Sequence, residues 1–433
     1  MLEVLGKLHR DCDGQSRRDF LRIGGLGLGA ASLPQLLASR AHAAKAGKPV
    51  KNTSVVWLWL SGGPTHIETF EPKMSAPSEF RSVTGEVKTN VPGMSLGGNF
   101  EQMAHHADKL ALLHSFAHND SGHGSGTHYV MTGYSNRNID NGGLPSRPSI
   151  GSIAARMRGA NHPDTGMPTY VRLGGIGSDG PAFLGKAYAA FGSDREARGN
   201  MKVSTPLDRV ADRRQLLRDF DRLNRDSDAS GLMDGLDAFE KQAFNLVLGK
   251  APQAFDLKNE DPRVVAKYGK GLGEQMLVAR RLCESGCGFV TLNYGGWDMH
   301  GSIEKSMNAR GPVVDQAVAA FIDDVSQRGL TDDILLVVTG EFGRTPKINK
   351  NAGRDHWGPL CTMALSGGGL KMGQNVGKSD AKAYRPATTP IRPQDVMATV
   401  FDVLGVDRGT SFINQSGRPV VAIEDGSPIK ELI

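Results

Sequence analysis

The sequence predicts an α/β fold in which a mostly parallel central sheet is sandwiched between layers of helices. Three observations predict it. Six short runs are apolar at nearly every position, the pattern of strands buried on both faces. Amphipathic stretches of helical spacing lie between them, as crossovers between parallel strands require. Histidines and acidic residues then gather immediately after several of the runs, where open α/β sheets collect their ligands.

The first segment sets the compartment. "SRRDFLRIGGLGLGAASLPQLLASRAHAA" carries Arg17 and Arg18, a weakly apolar Gly/Ala/Leu stretch, and an A-x-A site at Ala41-His42-Ala43. This is the layout of a cleavable export signal of the twin-arginine (Tat) type over residues 1–44, with residues 45–433 as the mature domain. The expected partner is the Tat export machinery and the expected location is the periplasm or the medium. The apolar part is too short and glycine-rich for a convincing membrane span. No later stretch reaches about 18 consecutive apolar residues, so no stable span is expected after cleavage.

The formal charge of +5 includes several basic residues of the signal. No Lys/Arg stripe with interleaved aromatics occurs, so nucleic-acid binding is not expected. Of the four cysteines, Cys12 falls in the signal. Cys283, Cys287 and Cys361 are too few for a disulfide framework and read as structural thiols, although one pair could bridge in an oxidising compartment.

Six strands follow in order. "SVVWLWLSGG" (54–63) is β-branched and aromatic and stops at Gly-Gly; "KLALLHSF" (109–116) and the weaker "PTYVRLGG" (168–175) come next. "CGFVTLNYGG" (287–296), "DILLVVTGEFG" (333–343) and "CTMALSGGG" (361–369) complete the set. Helical patterns cover 149–157, 261–286, 313–329 and 393–405, the last with Pro393 at its start and Gly405 at its end, the usual asymmetry. Residues 203–258 are charged and amphipathic and read as a helical insertion or cap, their charges a solvated face. Residues 370–390 read as a surface loop.

The first run leads into Ser61, Thr65, His66, Glu68 and Glu71. The second leads into His118, Asp120, His123, Ser125, Thr127 and His128. "GWDMHGSI" supplies Asp298 and His300, "GEFGRTP" supplies Glu341 and Arg344, and "GRDHWGP" supplies Asp355 and His356. His105, His106 and His162 read as structural. In an extended backbone, residues two apart point the same way, so Asp298 and His300 could face one ion. Imidazole with carboxylate suits zinc and other divalent metals. Glycines in "SGGP" and "SGHGSG" would let backbone N–H groups approach an anion.

As an ordered set, "LWLSGGPTHIETFEPK", "GHGSGTHYVMTGY", "GWDMHGSI", "VVTGEFGRTP" and "GRDHWGP" resemble the exported bacterial family of domain of unknown function 1501. That family is similar to the alkaline phosphatase/sulfatase superfamily, which implies an alkaline phosphatase-like α/β/α sandwich with a metal-bearing hydrolytic site. The resemblance places Asp298, His300, Glu341 and His356 as metal ligands, with His66 a further ligand or proton donor. The cofactor it implies is a divalent metal, zinc first, with manganese or calcium as alternatives. Ser125 is the chosen nucleophile or water-positioning group from among His123, Ser125 and Thr127. Arg344 would stabilise the substrate's oxygens, with His123 and His128 in proton transfer or ligation. The competing structural readings are a helix N-cap for Ser125 and a surface salt bridge for Arg344.

Phe342 stands where the superfamily carries a histidine, and Ser61 where many members carry an aspartate. Neither can fill a two-metal centre. The expected activity is hydrolysis of a small or polymeric phosphate or sulfate ester. The alternative is a metal- or glycan-binding protein that keeps the hydrolase fold without turnover.

Overall fold

A computed structural model describes residues 52–192 and 251–433. The expected signal segment lies outside the described residues, as does most of the expected insertion at 203–258. The last residues of that insertion are helical, over Ala251–Phe255 and Leu257–Asn259.

Each of the six apolar runs forms a strand of one sheet, and two further strands join it. They are β1 (Ser54–Trp59), β2 (Ala111–Leu113), β3 (Tyr170–Leu173), β4 (Phe191–Gly192), β5 (Phe289–Asn293), β6 (Ile334–Thr339), β7 (Met363–Gly367) and β8 (Gln374–Val376). Their spatial order is β8-β2-β7-β6-β1-β5-β3-β4. β7 runs antiparallel to both its neighbours, and every other pairing is parallel.

The central strand explains the sandwich. Alternate residues of a strand face opposite sides, and β1 with the residue after it is apolar on both. Val56, Leu58 and Leu60 enter one core with residues of α4 (Leu272–Glu284) and α5 (Ile303–Gln327). Val55, Trp57 and Trp59 enter the other, with α1 (His123–Thr132), α2 (Ile150–Arg158) and α6 (Pro393–Leu404). Full burial of such side chains contributes about 1.5–3 kcal/mol each.

Several expected boundaries shift. The helix read over 261–286 is two, α3 (Pro262–Tyr268) and α4, because Gly269 and Gly271 adopt positive φ of 78° and 65°. α5 begins ten residues before the expected 313 and carries Pro312 inside it. The Gly311-Pro312 pair hides that extension, although Gly311 lies so close to Asn99 that a Cβ there would meet it at 2.5 Å. The expected loop 370–390 contains the edge strand β8, paired with β2 over three residues only. Cys283, Cys287 and Cys361 are free and buried. Among the described residues, no helix is long and apolar enough to cross a membrane.

The register sets the functional edge. Trp59 of β1 pairs with Asn293 of β5 on one side and Thr339 of β6 on the other. Three parallel strands therefore end level, delivering the segments after Leu60, Asn293 and Thr339 to the same edge.

Candidate metal centre

The loop after β5 places Asp298 between the buried side chains of Trp297 and Met299. It packs tightly on the turn after β1. A Cβ at Gly62, where φ is +116°, would lie 2.3 Å from the Asp298 nitrogen. After β6, Gly343–Arg344 forms a short antiparallel ladder with His356–Trp357, pairing Arg344 with His356. His123 is the first residue of α1. Asp140 caps that helix, its Oδ1 accepting from the Gly124 and Ser125 amides at 2.9 and 3.0 Å, where an anion is favoured.

These elements bring three imidazoles onto one carboxylate. His300 Nε2 and His356 Nε2 each lie 3.0 Å from Asp298 Oδ1 and 3.1 Å from one another. His123 Nε2 lies 3.5 Å from Asp298 Oδ2. Ligand atoms of His123, Asp298 and His356 all fall within 4.8 Å of one another.

The far side of each ring is tied to an acceptor. His123 Nδ1 meets Glu341 Oε1 at 2.8 Å, His300 Nδ1 meets Asp355 Oδ1 at 2.8 Å, and His356 Nδ1 meets the Ser121 carbonyl at 2.9 Å. An imidazole that donates from Nδ1 presents a bare lone pair at Nε2. Three such lone pairs therefore face a carboxylate, an arrangement that repels unless a cation lies among them. Four ligands at about 2.0–2.1 Å from a tetrahedral zinc stand ~3.3 Å apart, close to the separations among His300, His356 and Asp298, with His123 standing farther off. Rings steered through Nδ1 by carboxylates or carbonyls are also the usual outer shell of a metal site. The donor set fits a single divalent ion.

Burial opposes the charge on Asp298, but the Arg344 guanidinium beside it, through its hydrogen bond and its charge, holds the carboxyl well below the usual range. The hydrogen bond to Glu341 raises the His123 pKa, and burial lowers that of His356. Phe342 cannot ligate; its ring packs 4.3 Å from His356 and 5.1 Å from His123, centre to centre.

Asp298, His300, His356 and His123 thus come together. Glu341 joins them as the clamp on His123. Its Oε1 also accepts from the Gly62 amide at 2.8 Å, while its Oε2 is buried without a hydrogen-bond partner. Arg344 is present in a different capacity from the one expected. It is fully buried rather than at the surface, and donates to the carbonyls of Gly62, Gly63, Trp297 and Arg354 and to Asp298 Oδ1. Its donors hold three loops and Asp298, and its side chain has no solvent exposure through which to meet a substrate.

Ser125, His128 and His66 are not drawn into the cluster. Ser125 is not the N-cap, which is Gly122; it is the third helical residue, 1% exposed, with its hydroxyl directed at the Gly122 carbonyl. His128 is buried, with Nδ1 on the Tyr134 carbonyl and Nε2 facing Ser146. His66 Nε2 meets the Ala383 carbonyl at 3.0 Å, and burial pushes its pKa down to about 3.

Sequence reasoning missed three supports. Asp355 was visible beside His356 in "GRDHWGP" but had no assigned role. Ser121 acts through its carbonyl, and a backbone carbonyl leaves no side-chain signal. Arg354 is fully buried against Glu68, with Nη2 at 2.7 Å from Oε1, and also donates to the carbonyls of Thr345, Pro346, Phe80 and Arg81. It pins the loop that carries Asp355 and His356. Beside the centre lies a cleft of about 640 Å³ whose walls include Trp59, Ile139, Pro145 and Ile176, with His123, Asp298 and Glu341 at its base.

Several solved structures are similar to this chain at low identity. The PsFucS1 sulfatase from Pseudoalteromonas sp. is 13% identical, with 86% of this chain and 71% of that one covered and a TM-score of 0.37. The phosphonate monoester hydrolase SpPMH from Silicibacter pomeroyi is 12% identical, with coverage of 87% and 76% and a TM-score of 0.40. A mutant TAB5 alkaline phosphatase with Mg bound is 11% identical, with coverage of 83% and 99% and a TM-score of 0.35. No curated protein matches the sequence. A family profile described as protein of unknown function (DUF1501) matches residues 52–433, and the chain belongs to that family.

Proposed function

We propose that the protein is an exported, metal-dependent hydrolase of phosphate or sulfate esters. The observation that carries this reading is the convergence of the Nε2 atoms of His123, His300 and His356 on Asp298, each ring fixed from behind through Nδ1. These four residues would hold one divalent ion, and zinc suits the set best. Such an ion supplies Lewis-acid polarisation and activation of water.

The chain's own residues do the rest. Asp355, Glu341 and the Ser121 carbonyl hold the rings in the ligating tautomer. Arg344 fixes Asp298 and offsets its charge. Water takes the place of Ser125 as the attacking group, since that hydroxyl is buried and turned to Gly122. Glu341 lines the cleft, but its unpartnered Oε2 is buried, so its part is to hold His123 through Oε1.

The test is turnover of aryl phosphates and aryl sulfates by the mature protein with zinc, manganese or calcium, and with chelator. Metal-dependent hydrolysis of at least one ester is expected. Metal bound without turnover on any of them would favour a second reading, a non-catalytic metal- or glycan-binding protein. The buried Ser125 hydroxyl and the fully buried Arg344 are the observations on that side.

A further inference from the structure

The cleft beside the centre is short of positive charge. Among the described residues, no lysine or arginine lines it. Asp298, Glu341 and Asp355 set three carboxylates against the single guanidinium of Arg344, which has no solvent exposure. A divalent ion would bring that group only to balance, with no positive surplus. The Gly124 and Ser125 amides of α1 are taken by Asp140, whose chain neighbour Ile139 lines the cleft.

Three polar side chains of the cleft are engaged internally, Thr127 through its hydroxyl on the His123 carbonyl and Ser61 and Asn293 with one another, while Ser178 also lines it. Ser61 Oγ donates to Asn293 Oδ1 at 2.8 Å, and Asn293 Nδ2 donates to the Gly175 carbonyl at 2.6 Å. Trp59, Ile139, Pro145 and Ile176 supply its apolar wall.

Resting on the hydrolase reading, we infer that the substrate carries a single negative charge on its ester group and a neutral, partly apolar substituent beside it. A sulfate monoester and a phosphodiester share that chemistry. A phosphate monoester dianion, or a polymer bearing many sulfates, would place charge where no lysine or arginine of the described residues answers it, and uncompensated like charges disfavour binding. The substituent would lie along Ile139 and Ile176.

The experiment measures both binding and turnover with the zinc-loaded mature protein, at a pH where phenyl phosphate is fully dianionic. In titration calorimetry, diphenyl phosphate is expected to bind at least about tenfold more tightly than phenyl phosphate. In turnover, bis(p-nitrophenyl) phosphate or p-nitrophenyl sulfate should exceed p-nitrophenyl phosphate by a similar factor in kcat/KM. The first identifies the phosphodiester and the second the sulfate ester as the source of the charge.

Ile139→Lys should shift the preference toward the dianion, whereas Ile139→Gln, matched for chain length, should not. Tighter binding of phenyl phosphate, equal binding of the two, or no binding of either overturns the inference. Selective binding of diphenyl phosphate without turnover of any ester supports the charge selection and refutes the hydrolase reading instead.

Discussion

The loop that presents Asp355 and His356 depends on one buried ion pair. Glu68 and Arg354 both have side chains with no solvent exposure, and Arg354 reaches Glu68 Oε1 through Nε at 3.2 Å and Nη2 at 2.7 Å. Removing one member of such a pair leaves an uncompensated buried charge, which costs about 3–5 kcal/mol. Four backbone carbonyls still solvate Arg354 when Glu68 is changed, so Glu68→Gln should cost ~3 kcal/mol; Arg354→Met, which leaves the carboxylate only the Thr65 hydroxyl and the Val83 amide, should cost ~5 kcal/mol. Against a total stability of about 5–15 kcal/mol, either loss is large. Replacing both partners, as Glu68→Leu with Arg354→Met, should recover most of the stability, since a buried pair is worth little against apolar residues of similar volume. Urea unfolding followed by circular dichroism gives the three values by linear extrapolation. Single-variant losses below about 1 kcal/mol, or a double variant no better than the worse single, would refute the reasoning.

The supports of the centre should be separable from its ligands. Asp355→Asn weakens the grip on His300 Nδ1, and zinc affinity should fall about 10- to 100-fold by competition with a chromophoric chelator; an unchanged affinity would remove Asp355 from the outer shell. His66 is kept neutral by burial, with its pKa pushed down to about 3. A depressed folded-state value means its contribution is intact above the unfolded value of about 6.5 and is lost as pH falls toward 3. From pH 7 to pH 5 it should remove about 2 kcal/mol of stability, and His66→Gln should flatten that slope in urea unfolding. Cys283, Cys287 and Cys361 are buried free thiols whose pKa values burial raises. They should resist a disulfide reagent in the native protein and react in urea; rapid native labelling would contradict their placement.

Much of the fold was readable because the strands are buried on both faces. An apolar run such as "SVVWLW" can sit only in the middle of a sheet, and β1 does. The elements that escaped were those with little local signal. β8 pairs over three residues, β4 has two, and Gly311-Pro312 reads as a helix break although α5 continues through it.

The candidate site divides along the same line. Asp298 and His300 were legible because they are two residues apart, and His356 because of the family resemblance. His123 was read for proton transfer or ligation without a choice between them, since its meeting with Asp298 depends on where the start of α1 lies beside the loop after β6. The proposed role of Ser125 rested on the family resemblance, which offered it beside His123 and Thr127, but as the third residue of a helix its hydroxyl turns inward. Arg344 carried the right charge in the right loop. Only the carbonyls of Gly62, Gly63, Trp297 and Arg354, contributed by segments far apart in the chain, reveal that it holds the site together.

The central claim is that His123, His300, His356 and Asp298 hold one divalent ion. Elemental analysis of the mature protein, after zinc loading and dialysis, tests it most directly when wild type is compared with Asp298→Ala of matched circular dichroism. About one zinc per chain is expected in the wild type, and a small fraction of that in the variant. A folded wild type that retains no zinc, or an Asp298→Ala variant that retains as much, would contradict it.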